Sequence, residues 1–106
     1  MKIIEEIKSK KEDFRSLCEN HKVGKLYAFG SSIRNDFSER ESDIDLLIEI
    51  NVEDAMERGE NLISIWNKLE SFFQRKVDLL TYKSIKNPIL KRNIDATKIL
   101  IYEAGS

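Results

Sequence analysis

The chain has 106 residues, enough for one domain and short for two, so a single domain over 1–106 is expected. Eighteen basic residues nearly balance nineteen acidic ones, for a formal net charge of -1. That balance excludes a protein that grips extended nucleic acid through counterion release. The single Cys18 excludes an internal disulfide framework. Met1-Lys2-Ile3-Ile4-Glu5-Glu6 carries acids where a signal peptide needs an apolar run, and no stretch approaches the roughly 18 consecutive apolar residues of a membrane span. A soluble, cytoplasmic protein without membrane contact is expected.

From about Lys2 to Asn20, Ile3, Ile4, Ile7, Phe14, Leu17 and Cys18 recur at helical spacing and predict one amphipathic helix. Asn20 to Gly24 reads as its exit, with Gly24 as a left-handed cap and His21 solvated at the helix end. Lys25 to Phe29 is a short strand bounded by glycines, and Ser31 to about Phe37 a helical turn. The polar stretch Ser38 to Ser42 reads as a loop.

Asp43 to Ile50 is the clearest strand. Ile44, Leu46, Ile48 and Ile50 alternate with Asp43, Asp45, Leu47 and Glu49, so one face belongs in the core and the other carries acids. From about Glu53 to Gln74 the pattern is helical again. Leu62, Ile65, Trp66, Leu69, Phe72 and Phe73 make an apolar stripe that reads as core rather than a cofactor surface. Arg75 to Tyr82 is a third strand, with Asp78 opposite in direction to Val77 and Leu79. Pro88 suits the first turn of a last helix, with Ile89, Leu90 and Ile94 inward, and Lys98 to Tyr102 forms a short final strand. The expected fold class is α/β (α+β): one sheet with helices packed on one face, the other face open to substrate.

Three features of that open face belong together. Gly30-Ser31 ends a strand before a helical turn, where backbone amides and a hydroxyl can donate to a phosphate. Asp43 and Asp45 lie on one face of a strand, roughly 7 Å apart along it. Asp78 opens another hydrophobic strand, and pairing beside the first would bring its carboxylate to the same place. Three carboxylates together repel one another unless cations compensate, and oxygen-only ligands favour Mg²⁺ or Mn²⁺ over zinc. A phosphate-cradling turn beside a two-metal carboxylate site points to phosphoryl or nucleotidyl transfer. Arg34, a few residues past Gly30, is the candidate cation for the departing pyrophosphate.

These residues resemble a known family. Gly30-Ser31, then Ser42-Asp-Ile-Asp-Leu-Leu-Ile48, then Arg75-Lys-Val-Asp-Leu-Leu-Thr81, is similar to the minimal nucleotidyltransferases of the DNA polymerase beta superfamily. The resemblance implies a single mixed sheet of the polymerase-beta-like palm type. It implies that Gly30, Ser31 and Arg34 hold the triphosphate of ATP, that Asp43, Asp45 and Asp78 are catalytic, and that these three ligate two Mg²⁺ ions. Two departures fall in the loop: eleven residues separate Ser31 from Asp43, one more than is usual, and Asn35 stands where a glycine often follows the arginine.

Such minimal domains are often antitoxins of HEPN-type ribonuclease toxins, and some transfer AMP from ATP to a toxin tyrosine. The resemblance therefore implies an Mg²⁺-dependent adenylyltransferase acting on a HEPN-type partner, or working as a homo-oligomer that completes its own site. Two alternatives stay open on the residues: a non-catalytic antitoxin that neutralises its partner by occlusion, and nucleotidyl transfer to a small molecule. The basic residues Lys83, Lys86, Lys91, Arg92 and Lys98 read first as a solvated surface that steers ATP or an acidic partner only in addition.

Overall fold

Alternation along two strands organises the molecule. In the computed structural model, which describes residues 2–33 and 43–105, β1 (Val23–Phe29) and β2 (Ile44–Ile50) run antiparallel at the centre of a four-stranded sheet. β3 (Val77–Leu80) adds parallel to β2, and β4 (Ile99–Glu103) adds antiparallel to β1, giving the order β3-β2-β1-β4. The parallel pair requires a crossover, and α3 (Ala55–Phe73) supplies it. The other helices are α1 (Lys2–Ser9), α2 (Lys11–Asn20) and α4 (Pro88–Thr97). Four helices on a mixed four-stranded sheet is the α+β class expected from the sequence.

The main core forms on one face of the sheet. Ile44, Leu46 and Ile48 of β2 pack there with Leu26 and Ala28 of β1 and Val77 and Leu79 of β3. Ile3, Phe14 and Cys18 close it from α1 and α2, and Ile65, Leu69 and Phe73 from α3. The stripe predicted on α3 is thus core, and its Trp66 indole N–H donates to the Val77 carbonyl at 2.7 Å. Asp54 caps α3 by accepting from the Glu57 N–H, and Gln74 ends it in the left-handed conformation.

The structure corrects the sequence reading at four places. The first helix is two: the chain breaks at Lys10 (φ -129°, ψ 44°), where the Ser9 hydroxyl donates to the Glu6 carbonyl and competes with the helical ladder. Gly24 is not a cap but a buried strand residue; a Cβ there would meet the Asn51 side chain at 2.7 Å. Lys22 takes the left-handed position instead, with φ 56°. His21 is buried rather than solvated. Its Nδ1–H donates to the Leu17 carbonyl, and Nε2 meets the Ser64 hydroxyl, each at 2.8 Å, tying α2 to α3. Of the three α4 residues expected inward only Ile94 is buried, while Ile89 and Leu90 are exposed.

Ile94 also shows that the second face is not bare. It forms a small cluster with Phe29 and Leu47, flanked by Tyr27, Leu80 and Tyr82. These residues have the opposite strand parity to the main core, so α4 covers part of the face that carries the acids.

Candidate active site

The site begins with a backbone requirement. β1 ends in a 3₁₀ turn over Gly30–Ile33, and Gly30 enters it with φ +60°, a conformation glycine adopts without steric cost. An added Cβ would stand 2.5 Å from Asp45 Oδ2. The missing side chain is what lets the turn close directly on the carboxylate of the neighbouring strand. Phe29, the residue before, is the register partner of Asp45.

Ser32 fixes this junction. The Asp45 N–H donates to Ser32 Oγ at 2.7 Å, and the hydroxyl donates back to the Asp45 carbonyl at 3.2 Å. Ser32 is only 1% exposed, so the pair holds the turn against β2 away from competing water. The sequence reading named Ser31 and passed over Ser32. The signal available was the doubled serine after Gly30, which offers two hydroxyls to the turn.

Parallel pairing of β2 with β3 sets Asp45 beside Asp78 in register, both on the face away from the main core. Asp45 is half-buried and Asp78 exposed. Asp43 is exposed and stands one residue before β2 begins. A cleft of about 490 Å³ joins Gly30, Asp45 and Asp78 to Leu90, Asn93 and Thr97 of α4, and Asp43 lies outside that lining. The structure therefore brings together Gly30, Asp45 and Asp78. Ser31 belongs to the turn by its backbone, and Arg34 lies outside the described residues.

Among the described residues, no three His, Cys, Asp or Glu side chains are grouped closely enough to hold a metal ion together. The donor chemistry nevertheless fits a hard divalent cation. Asp45 and Asp78 are carboxylates on adjacent strands of one face, and bringing an ion between them offsets their mutual repulsion.

The wall formed by α4 was not legible as part of the site, although Leu90, Asn93, Ile94 and Thr97 share one helical face by spacing. Its N-terminus is capped by Asn87, whose Oδ1 accepts from Ile89 N–H at 2.9 Å. Its other end is held by a clamp. Tyr82 O–H donates to Asp95 Oδ1 at 2.8 Å, and Lys98 Nζ donates to both the Tyr82 hydroxyl and Asp95 Oδ1. Lys98 also sits 4.4 Å from the centroid of the Tyr27 ring. Burial, reinforced by Asp95, pushes the Tyr82 phenol up, while hydrogen bonds from Tyr82 and Lys98 hold Asp95 below its ordinary value.

A mixed sheet of this order, with a glycine turn closed on one aspartate and a second aspartate in register beside it, is the frame of a minimal nucleotidyltransferase. The chain belongs to the nucleotidyltransferase domain family, whose profile matches residues 2–101. It is 37% identical over 102 residues to MJ0126 of Methanocaldococcus jannaschii, a candidate protein adenylyltransferase, covering 95% of this chain and all of that one. In solved structures it is similar to a candidate minimal nucleotidyltransferase, with a TM-score of 0.63 at 22% identity over 91% of this chain and 93% of the other. It is also similar to the complex of a tri-AMPylated Shewanella oneidensis HEPN toxin with its MNT antitoxin. The TM-score there is 0.53 at 21% identity, over 88% of this chain and 69% of the matched one. These structural likenesses establish the fold, and the family resemblance read from the motifs is borne out. No helix among the described residues is long and apolar enough to cross a membrane.

Proposed function

We propose that this domain transfers AMP from ATP to a hydroxyl of a partner protein, a tyrosine of a HEPN-type toxin, and acts in the cytoplasm as that toxin's antitoxin. The observation that carries the reading is the meeting of Gly30, Asp45 and Asp78 in one solvent-open cleft. Family membership supports nucleotidyl transfer. The relative named for protein adenylylation and the fold shared with an antitoxin bound to an AMPylated toxin support the choice of acceptor.

Asp45 and Asp78, with Asp43 at the start of β2, are the proposed ligands of Mg²⁺, in two ions, or of Mn²⁺. A divalent ion held there supplies positive charge to the transferring phosphoryl group and the departing pyrophosphate. The chain's own residues do the rest. Gly30 lets the turn backbone approach the phosphates, Ser31 is the proposed donor to them, and Arg34 is the proposed cation for the departing pyrophosphate. The acceptor oxygen forms its bond to the α-phosphorus as the bond to pyrophosphate breaks, and Asp78, the more exposed of the in-register pair, takes the acceptor proton. Ser32 and the Tyr82–Asp95–Lys98 clamp keep the two walls of the cleft in place.

The test is incubation with a HEPN-type toxin, Mg²⁺ and ATP labelled at the α-phosphate. The proposal expects label on a toxin tyrosine with the wild-type chain and none with Asp45→Asn. Neutralisation of the toxin without label would identify an occluding binder and overturn the enzymatic reading. Label on a small hydroxyl compound alone would overturn the protein acceptor.

A further inference from the structure

The face of the sheet remote from the aspartates carries a second feature. A cleft of about 530 Å³ runs between α1–α2 and β4. Its floor is apolar, formed by Ile4, Ile7, Phe14, Ile101 and Tyr102, and its rim is basic, formed by Lys8, Lys11 and Arg15. One carboxylate, Glu103, also borders it and is paired with Lys25 at 3.9 Å. The bulge between β1 and β4 turns Ile101 and Tyr102 toward the same side and interrupts β4 as a template for an added strand. The groove is therefore suited to an inserted helix rather than to strand addition.

A helix of complementary character exists on this same chain. The outer surface of α3 exposes Met56 and Ile63, 75% and 65% accessible. Glu60 falls between them on one stripe, four residues after the first and three before the second. Glu57, paired with Lys22 at 3.3 Å, and Glu53, just before the helix, adjoin the same end and are exposed. The N-terminal half of this outer face is thus an acidic patch with two apolar anchors about 10 Å apart, by the rise of seven helical residues. The groove's basic rim is carried by Lys8 on α1 and by Lys11 and Arg15 on α2, the last also paired with Glu19 at 3.8 Å. Met56 and Ile63, with Glu60 between them, match an apolar floor with a basic rim that no described residue fills.

We infer that the outer face of α3 of one copy of this chain docks into the α1–α2/β4 groove of a second copy. Such a contact is heterologous: each copy offers one groove and one helix, so association extends head to tail unless it closes into a ring. The charged rim makes it weaker as salt screens it. Because the groove lies on the main-core side, the cleft carrying Asp45 and Asp78 remains accessible in the assembly, and the inference does not depend on what reaction occurs there.

The experiment is sedimentation of the whole chain over a range of protein concentrations, at low and high salt. The expected result is a weight-average mass rising at least twofold above the 12.4 kDa of one chain, with the rise suppressed by salt. A groove variant, Lys8→Glu with Lys11→Glu, and a helix variant, Met56→Lys with Ile63→Lys, each stay monomeric. Mixing the two restores association but stops at one-to-one dimers, since only one intact groove and one intact helix remain. The mixture also shows that both variants are folded. A wild-type chain that stays monomeric throughout overturns the inference. So does a mixture that fails to pair, or variants that associate like the wild type.

Discussion

The two faces of the sheet are made from the same strands, and they end in different states. On one, Ile44, Leu46 and Ile48 are no more than 1% exposed, sealed by three helices. On the other, Leu47 is equally buried, but its cover is only Phe29, Ile94 and a few flanking side chains, and Asp45 and Asp78 stand beside it. Alternate residues of one strand therefore divide the labour. Even positions of β2 hold the fold together, and odd positions leave room for charge. Among the described residues no acid is buried in the main core, while on the second face apolar side chains of the sheet and of α4 share the cleft lining with Asp45 and Asp78.

Breaking the chemical side should cost the most activity and the least stability. Asp78→Asn is expected to lower AMP transfer by at least ~100-fold, the order seen when a charge-handling group is removed from a preorganised site. Since Asp78 is exposed, its thermal midpoint should stay near that of the wild type. A large drop in midpoint would show that Asp78 supports the fold and that the two faces are not separate in function.

Breaking the structural side should reverse the pattern. Leu69→Ala in the main core should cost about 3–5 kcal/mol, read from urea unfolding, because α3 is fixed between sheet and α2 and cannot collapse around the void. That is a large share of the roughly 5–15 kcal/mol by which small domains are stable. Ile94→Ala, buried in the small cluster, should cost only about 2 kcal/mol, since α4 can settle toward the sheet. It should lower transfer as well, because α4 is a wall of the cleft. Equal losses of stability at Leu69 and Ile94 would erase the contrast between the faces.

Gly30→Ala tests the seam between turn and strand. The left-handed φ costs roughly 1 kcal/mol for a residue with a Cβ, and the Cβ would also press on the Asp45 carboxylate. Stability should fall by about 1–2 kcal/mol while transfer falls further, because Asp45 must move. Measuring both in one variant separates strain from displacement: a loss of stability with normal activity would mean the carboxylate yields without consequence.

How legible these regions were follows from the range of the interactions that build them. The central strands were readable because alternation is local, and the α3 stripe because helical period is local. Asp43, Asp45 and Asp78 could be picked out because acids on hydrophobic strands have no packing role, although only the β2–β3 register puts two of them side by side. What escaped depends on distant partners. His21 is buried by Ser64, 43 residues away. Gly24 is needed because Asn51 approaches it, so the left-handed turn passes to Lys22. Ser32 looks like its neighbour Ser31 until β2 arrives with Asp45. Nothing in the apolar period marks the break at Lys10, and the inward assignment of Ile89 and Leu90 failed because α4 overhangs a cleft instead of a core. Arg34 and the lengthened loop before Asp43 fall outside the described residues.

The smallest expected effect lies at the clamp that holds the end of α4. Tyr82→Phe removes one hydroxyl and leaves the Lys98–Asp95 pair, 3.1 Å apart, in place. At neutral pH the loss should stay within about 1 kcal/mol, as for a single partly exposed hydrogen bond. Its pH dependence is the more informative reading. The Tyr82 phenol is raised above its ordinary 10.0, first by burial and then by Asp95, against the opposing pull of Lys98. A raised value stabilises the fold below pH 10.0, and that contribution is lost as pH climbs through the folded value. Asp95 is lowered from 3.8, first by the Tyr82 hydrogen bond and then by that of Lys98. A lowered value stabilises above pH 3.8, and that contribution is lost as pH falls through the folded value. The difference between wild type and Tyr82→Phe should therefore be largest on the plateau between these limits and shrink at both ends, as chemical unfolding across pH can record. A difference that stays constant from acid to alkali would mean that the hydroxyl matters only by filling space. The clamp would then owe its hold on α4 to Lys98 stacked against Tyr27 and to the apolar packing of Ile94.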